Sequence, residues 1–160
     1  MAAAKLHQDI FTAFSVKTDR VFTRETGQIY AMVGKNEELR VVSNVWFNAF
    51  DTQKQYRQVL QHVFDLFSDG EYLFWLSDLR FLTSDSSESE DWTATKLMPA
   101  MFNAGLVREA VVVPEGAIAQ EGQDTFINTD DSAREMADGR VRSFSDVQKA
   151  RRWLLSGIRG

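Results

Sequence analysis

The chain has 160 residues, of which 44% are hydrophobic and 12% aromatic, and this composition favours a globular protein with a sizeable core. It has no cysteine, and its only histidines are His7 and His62, which excludes disulfides and thiolate catalysis and predicts no metal site and no cofactor. The net charge of −5 argues against nucleic acid as a partner. No apolar run has the length of a membrane span or a signal peptide core, so we expect a cytoplasmic protein without a membrane span.

The beginning of the chain predicts a separate N-terminal segment. Within residues 1–19, the apolar residues Leu6, Ile10 and Phe14 are spaced four apart, which fits a short amphipathic helix or an extended arm. Residues 20–160 are predicted to form a single α/β domain.

Three strands are expected at the start of this domain. The first, over 21–24, fits a short edge strand. The second and third, over 28–33 and 38–47, are predicted to pair as an antiparallel hairpin, because the glycine and the asparagine of the intervening GKNE sequence favour turn conformations.

A helix and the central strand follow the hairpin. Thr52 and Gln55 have the spacing of a capping box, and an apolar stripe continues at helical spacing until Gly70 ends the helix. The run over 72–76, YLFWL, has no charged residue on either face, which predicts a strand buried on both sides.

The second half of the chain continues the alternation of helices and strands. Ser87 and Glu90 predict another capping box, and Pro99 predicts a kink near Thr95 or two shorter helices. The remaining predicted elements are a strand over 107–113, one helical turn over 117–121, a short helix over 131–137, an edge strand over 140–144, and a final helix capped by Ser145.

The candidate site lies where the central strand ends. Asp78 and Arg80 are two residues apart and share one face of the strand, so they either bind a polar ligand or form an ion pair that caps the strand end. Ser87 is either a helix N-cap or a phosphorylation site. The acids around it suit the first turn of a helix, which explains them without a metal.

The helix after this loop carries Trp92, Met98 and Phe102. These residues either line an apolar pocket or partner surface, or belong to the ordinary core. The sequence has no nucleophile elbow and no glycine-rich phosphate loop, so it predicts no catalytic residue.

Several segments together resemble a known family. They are WLSDLR at 75–80, SEDW at 89–92, the helix with Pro99, VREAVVVPEG at 107–116 and FSDVQKARRWL at 144–154. The chain resembles uncharacterised bacterial proteins of the SpoIIAA-like (STAS/SEC14-like) superfamily. The resemblance implies a STAS-like mixed β-sheet with an opening antiparallel hairpin and helices packed on it. It also implies a phosphorylatable serine near Ser84, Ser86 or Ser87, where this chain has SDSSESED in place of the family's Asp-Ser-[Ser/Thr]-Gly, and, from the SEC14 branch, an apolar ligand.

We therefore expect a non-enzymatic, homodimeric interaction or regulatory module that binds a partner protein through the loop 83–91 and the helix after it. The alternative is a carrier or sensor of a small apolar or lipid-like ligand, held in a pocket lined by Trp92, Met98 and Phe102. An enzyme that uses Asp78 as a base is a third hypothesis, and it requires a raised pKa for that carboxyl group.

Overall fold

The computed structural model describes residues 7–126 and 129–156. Its strands are β1 (Lys17–Thr23), β2 (Ile29–Asn36), β3 (Val41–Trp46), β4 (Phe74–Asp78), β5 (Arg108–Val112), β6 (Gln123–Asp124) and β7 (Val141–Phe144). Its helices are α1 (Gln8–Phe14), α2 (Gln53–Ser68), α3 (Glu90–Trp92), α4 (Met98–Asn103), α5 (Asp131–Ala137) and α6 (Val147–Ser156). The strands form one mixed sheet in the order β1-β2-β3-β4-β5-β7-β6, so the protein has an α/β fold.

The N-terminal segment contains the helix α1 in its described part, while Leu6 of the predicted apolar stripe lies outside the described residues. Ile10 and Phe14 of α1 are fully buried, as the four-residue spacing predicts. β1 begins at Lys17, inside the segment that we expected to precede the domain, and pairs with β2 at the edge of the sheet.

The predicted hairpin is confirmed, but its turn lies further along the chain. β2 and β3 are antiparallel, and β2 continues through Gly34 to Asn36, whose side-chain oxygen accepts the Leu39 amide at 3.0 Å. Gly34 therefore does not serve the turn. A Cβ at this position would lie 3.1 Å from the carbonyl oxygen of Lys17, so the glycine permits the close approach of β1.

The centre of the sheet is parallel. β3, β4, β5 and β7 are adjacent and parallel, and every residue of β4 is buried. β4 begins and ends two residues later than the predicted strand over 72–76, so it includes Asp78. The prediction that 140–144 forms the edge strand is wrong, because β6 pairs with the outer side of β7.

Helices cover both faces of the sheet, and each face has its own hydrophobic cluster. On one face, α2 and α4 pack over Trp46, Trp75 and Val141. On the other, α1 and α6 pack over Leu76 and Val112. Within 7–126 and 129–156, no helix is both long enough and apolar enough to span a bilayer.

The predicted interruption at Pro99 is confirmed. A π-helical turn over Thr93–Leu97 separates α3 from α4, which has Pro99 in its first turn. Because proline has no amide hydrogen, the carbonyl of Thr95 lacks the usual donor four residues ahead, and wider helical turns accommodate such defects.

The predicted helix caps are partly correct. The Thr52–Gln55 capping box is present. Ser87 makes no side-chain cap; its amide instead donates to the Asp85 carboxylate at 2.8 Å, because an aspartate two residues upstream forms the tighter local turn. The final helix is capped by Asp146, whose carboxylate accepts the Lys149 amide at 3.0 Å, while Ser145 bonds to Glu121.

Of the two short helices expected between β5 and β7, the one over 131–137 is confirmed as α5. The turn over 117–121 is not helical. There Gln123 accepts the amide of Ala119, so a side chain replaces the helical hydrogen bonds.

Candidate functional site

A cluster of four charged side chains lies at the end of β4, on the face covered by α1. We call His7, Asp9, Asp78 and Arg80 the Asp78 cluster. Arg80 contacts Asp78 at 2.8 Å and Asp9 at 2.7 Å, and His7 Nδ1 lies 2.6 Å from Asp78 Oδ2. The ion pair between Asp78 and Arg80, one of the two alternatives drawn from the sequence, is therefore present.

The hydrogen-bond geometry defines the charges in this cluster. His7 Nε2 faces the Trp46 carbonyl oxygen at 3.0 Å, which only accepts, so this nitrogen donates. His7 Nδ1 faces Asp78. Burial alone would raise the pKa of Asp78, but hydrogen bonds from His7 and Arg80 overcome it and hold that pKa below its ordinary value. Asp78 is thus a carboxylate, and each ring nitrogen of His7 faces an oxygen acceptor.

This arrangement favours a structural role for the cluster. The side chains of His7 and Asp78 are fully buried, and the His7 ring lies between the edges of Phe47 and Phe81, with centroid distances of 4.7 and 5.1 Å. A buried carboxylate with a lowered pKa and both oxygens already hydrogen-bonded is a poor general base. The raised pKa that the hypothesis of Asp78 as a base requires is therefore not found.

The serines of the loop 83–91 have different surroundings. Ser84 accepts the Phe50 amide at 3.0 Å and donates to the Phe50 carbonyl at 3.1 Å, so it fastens the loop to the chain beyond β3. Ser87 is exposed. Ser86 lies at the opening of a cleft described below.

The three apolar candidates are not brought together in one pocket. Met98 is 1% exposed and belongs to the core. The Arg57 guanidinium lies 5.6 Å from the centre of the Trp92 ring, and that of Arg140 lies 3.8 Å from the Phe102 ring. These cation–π contacts cover two ring faces that an apolar ligand would need.

A cleft of about 420 Å³ opens on the α2 face of the sheet. We call it the Tyr56 cleft. Its walls come from the start of α2, from α3 with the following π turn, and from the chain ahead of α5 and the start of that helix. The larger part of its exposed surface is apolar, although many of its residues carry a hydroxyl or a carboxylate, namely Tyr56, Ser86, Glu90, Asp91, Thr93, Thr95, Thr125, Thr129 and Asp130. None of its described residues is lysine, arginine or histidine.

The sheet beneath this cleft carries buried polar residues. Asn44, Ser77 and Ser143 lie in one row across β3, β4 and β7 and point to the same face, because they align through the strand register. The Ser143 hydroxyl lies 2.7 Å from that of Thr125, which lines the cleft. Val111 of β5 separates Ser77 from Ser143 in this row, so Asn44 bonds to Ser77 on one side and Ser143 to Thr125 on the other.

Glu109 is the most unusual residue of this face. It lies on β5 between Trp75 and Val141, and the residue is 6% exposed. Burial raises the pKa of its carboxyl group to about 8, and no described residue offers that group a hydrogen bond. Burial also raises the pKa of the nearby Tyr56 to about 12, with a smaller contribution from the charge of Glu109. Glu109 does not line the Tyr56 cleft, but a buried acid with a perturbed pKa marks a candidate functional position.

The sequence did not reveal several of these residues. His7 and Asp9 join Asp78 only because α1 folds back over β4, a contact across about 70 positions of the chain. Glu109 had a weak signal: it interrupts the apolar run of β5, in VREAVVV, with a charge on the face toward α2. A charged residue in a strand that is otherwise buried is the pattern that identifies such a site.

Comparison with known proteins gives no match for this chain among family models, curated proteins or solved structures. Among the described residues, no group of three or more histidine, aspartate or glutamate side chains is placed to hold a metal ion.

Proposed function

We propose that this protein is a non-enzymatic regulatory module with a STAS-like fold that binds a small ligand in the Tyr56 cleft. The observation that supports binding is a concave cleft whose described lining combines hydroxyl groups with the carboxylates of Glu90, Asp91 and Asp130. A volume of about 420 Å³ lies within the usual range for small-molecule sites.

The STAS-like assignment is supported by the order of the elements. An antiparallel hairpin opens the sheet, and parallel strands connected through helices continue it. The helical segment that begins in the serine-rich loop packs on this sheet, where the superfamily carries its regulatory serine.

A partner protein and a homodimer remain part of the proposal. The loop 83–91 contributes Ser86, Glu90 and Asp91 to the cleft wall, while Glu88 on the same loop faces solvent. Occupancy of the cleft would therefore change the surface that a partner meets. Analytical ultracentrifugation tests the dimer, whose mass is twice the 18.2 kDa of the chain, and a monomer at every concentration would contradict it.

The binding proposal is tested by protein-observed NMR with a panel of small cationic, neutral and anionic compounds. We expect at least one compound to shift the amide signals of Tyr56, Thr93 and Thr125 together. The variant Ala94→Tyr places a bulky side chain in the cleft wall and should abolish these shifts. The matched control is Ala119→Tyr, the same change at an exposed position outside the cleft.

Two results would overturn the binding proposal. One is a panel in which no compound shifts these signals at millimolar concentration. The other is binding that survives Ala94→Tyr unchanged, because a ligand in the cleft cannot tolerate that side chain.

A further inference from the structure

We propose that this protein forms its homodimer through β1, which pairs antiparallel with β1 of a second copy about a two-fold axis at Val21. This inference rests on the homodimer of the proposed function and adds the surface that forms it. It depends on the free outer side of β1, on the exposure of Val21, and on the register that the charges along β1 permit.

The two edges of the sheet differ in length. β6 has two residues, and such a short edge strand offers little backbone for another chain to pair with. β1 has seven residues, and within 7–126 and 129–156 no strand pairs with its outer side. Alternate amide and carbonyl groups along that side are therefore available to hydrogen-bond a strand of a second chain.

A β-bulge limits where a second strand can pair. The register between β1 and β2 skips Asp19, which is therefore an extra residue on β1. His62 Nε2 lies 2.6 Å from the Asp19 carboxylate and Lys35 Nζ lies 3.3 Å from it, so the bulge is fixed toward α2. The other irregularity skips Tyr30 and places its extra residue on β2. The outer side of β1 is therefore continuous over 20–23.

Val21 gives this stretch an apolar centre. It is the one large hydrophobic residue of the described chain that is exposed, at 42%. It aligns with the half-buried Met32 of β2, so the two side chains share one face of the sheet, opposite to that of the buried Phe22. A second Val21 beside it would remove apolar surface of both copies from water.

The charges along β1 select one register. Residues directly opposite one another in a sheet share a face, so a two-fold axis between antiparallel copies passes beside one residue of the strand. An axis at Arg20 would place two Arg20 side chains opposite each other, and an axis at Phe22 would place Arg20 opposite Arg24; like charges in such positions are unfavourable. An axis at Thr23, the last residue of β1, would pair only the end of the strand. An axis at Val21 instead places Arg20 opposite Phe22 of the second copy, and Arg20 already lies 4.5 Å from the Phe22 ring of its own chain.

Disulfide cross-linking tests the position of the axis, because the chain has no cysteine of its own. In the proposed dimer the two Cα atoms of residue 21 lie about 4.5–5.5 Å apart, a separation that suits a disulfide. Val21→Cys should therefore form a covalent dimer, of twice the 18.2 kDa of the chain, under mild oxidation.

The matched control for cross-linking is Thr23→Cys, at an exposed position on the same face of β1. In the proposed register the two copies of residue 23 lie about 13–14 Å apart along the strands, which is beyond the reach of a disulfide. We expect this variant to cross-link at least about tenfold more slowly than Val21→Cys.

A charge at the axis should break the dimer. Val21→Lys places two ammonium groups opposite each other, so analytical ultracentrifugation should show loss of the dimer. Because the position is exposed, the fold should persist, which circular dichroism checks. The matched control is Gln148→Lys, which adds the same charge at an exposed position on α6 and should leave the dimer unchanged.

The outcomes separate this inference from the proposed function. A wild-type dimer that survives Val21→Lys would overturn the β1 interface and leave the homodimer standing. Cross-linking of Thr23→Cys as fast as that of Val21→Cys would overturn the axis at Val21. A wild type that is monomeric at every concentration, with no rapid cross-linking of Val21→Cys, overturns both the interface and the homodimer, and a β1 that pairs only with a strand of another protein gives this same result. Binding in the Tyr56 cleft is measured separately and does not depend on these outcomes.

Discussion

Asp78→Asn should destabilise the protein far more than the loss of an ordinary surface carboxylate. The variant preserves shape but removes the negative charge between His7 and Arg80, and it turns an amide NH₂ toward groups that only donate. Removing one partner of a buried ion pair costs about 3–5 kcal/mol. Since Arg80 keeps its contact with Asp9, we expect about 3 kcal/mol, a large share of a typical stability of about 5–15 kcal/mol.

Urea unfolding at pH 7 measures this cost, and the four tryptophans provide the fluorescence signal. The matched control is Asp51→Asn, which removes a partly exposed ion pair with Arg24 and should cost less than about 1 kcal/mol. Because the pKa of Asp78 is lower in the folded state, its contribution is complete above the unfolded pKa of about 3.9 and disappears as the pH falls through the folded value. The difference between wild type and Asp78→Asn should therefore shrink in strong acid.

A double-mutant cycle that combines Asp78→Asn with His7→Phe isolates the energy of the hydrogen bond between His7 and Asp78. A phenyl ring fits between Phe47 and Phe81 but cannot donate to Asp78. We expect a coupling energy of about 1.5–3 kcal/mol between positions 7 and 78. A coupling below about 0.5 kcal/mol, or a cost of Asp78→Asn no larger than that of Asp51→Asn, would refute a stabilising buried contact between His7 and Asp78.

Three further measurements test other features. Glu109→Gln should stabilise the ligand-free protein by about 3 kcal/mol at pH 7. The folded pKa of Glu109 is about 8 against an ordinary 4.5, so the stability of the wild type falls by about 1.4 kcal/mol per pH unit between those two values. Urea titrations at pH 5 and pH 7 would contradict this if the stabilisation by Glu109→Gln did not grow with pH. Gly34→Ala should cost about 1–3 kcal/mol by thermal unfolding, since its Cβ would press on the Lys17 carbonyl, and an unchanged midpoint would disprove the contact. Arg40→Gly should stabilise by up to about 1 kcal/mol, because Arg40 has a φ of 58° in the turn after β2, and a loss of stability would show that the arginine side chain outweighs the backbone strain.

The sequence predicted those parts of the fold that depend on local patterns. The α2 cap, the hairpin pairing and the break at Pro99 each follow from residues within a few positions of one another, and all three are confirmed. The predicted caps at Ser87 and Ser145 failed for a local reason as well: a neighbouring aspartate supplies the acceptor in each segment, Asp85 for the Ser87 amide and Asp146 for the Lys149 amide, and a carboxylate is a stronger acceptor than a hydroxyl.

The candidate site depended on contacts that no local pattern encodes. Asp78 and Arg80 were identified from their position at the strand end, but their main partners, His7 and Asp9, come from a helix about 70 residues earlier. Glu109 lies on β5, which is buried by its neighbours β4 and β7 and by the helices on the α2 face. Its unusual pKa is a property of that packing, since an isolated glutamate in VREAVVV would titrate normally.

The contacts of α1 determine when this helix can pack during biosynthesis. His7, at the start of α1, hydrogen-bonds to Asp78, and Arg151 on α6 donates to the Ala13 carbonyl at 2.8 Å. A ribosome adds about 5–20 residues per second, so roughly 7 to 30 s separate the synthesis of His7 from that of Arg151. During that interval Ile10 and Phe14 have no completed surface to bury against. Although α1 is synthesised early, it is therefore secured late, and its apolar side stays accessible to chaperones during that interval.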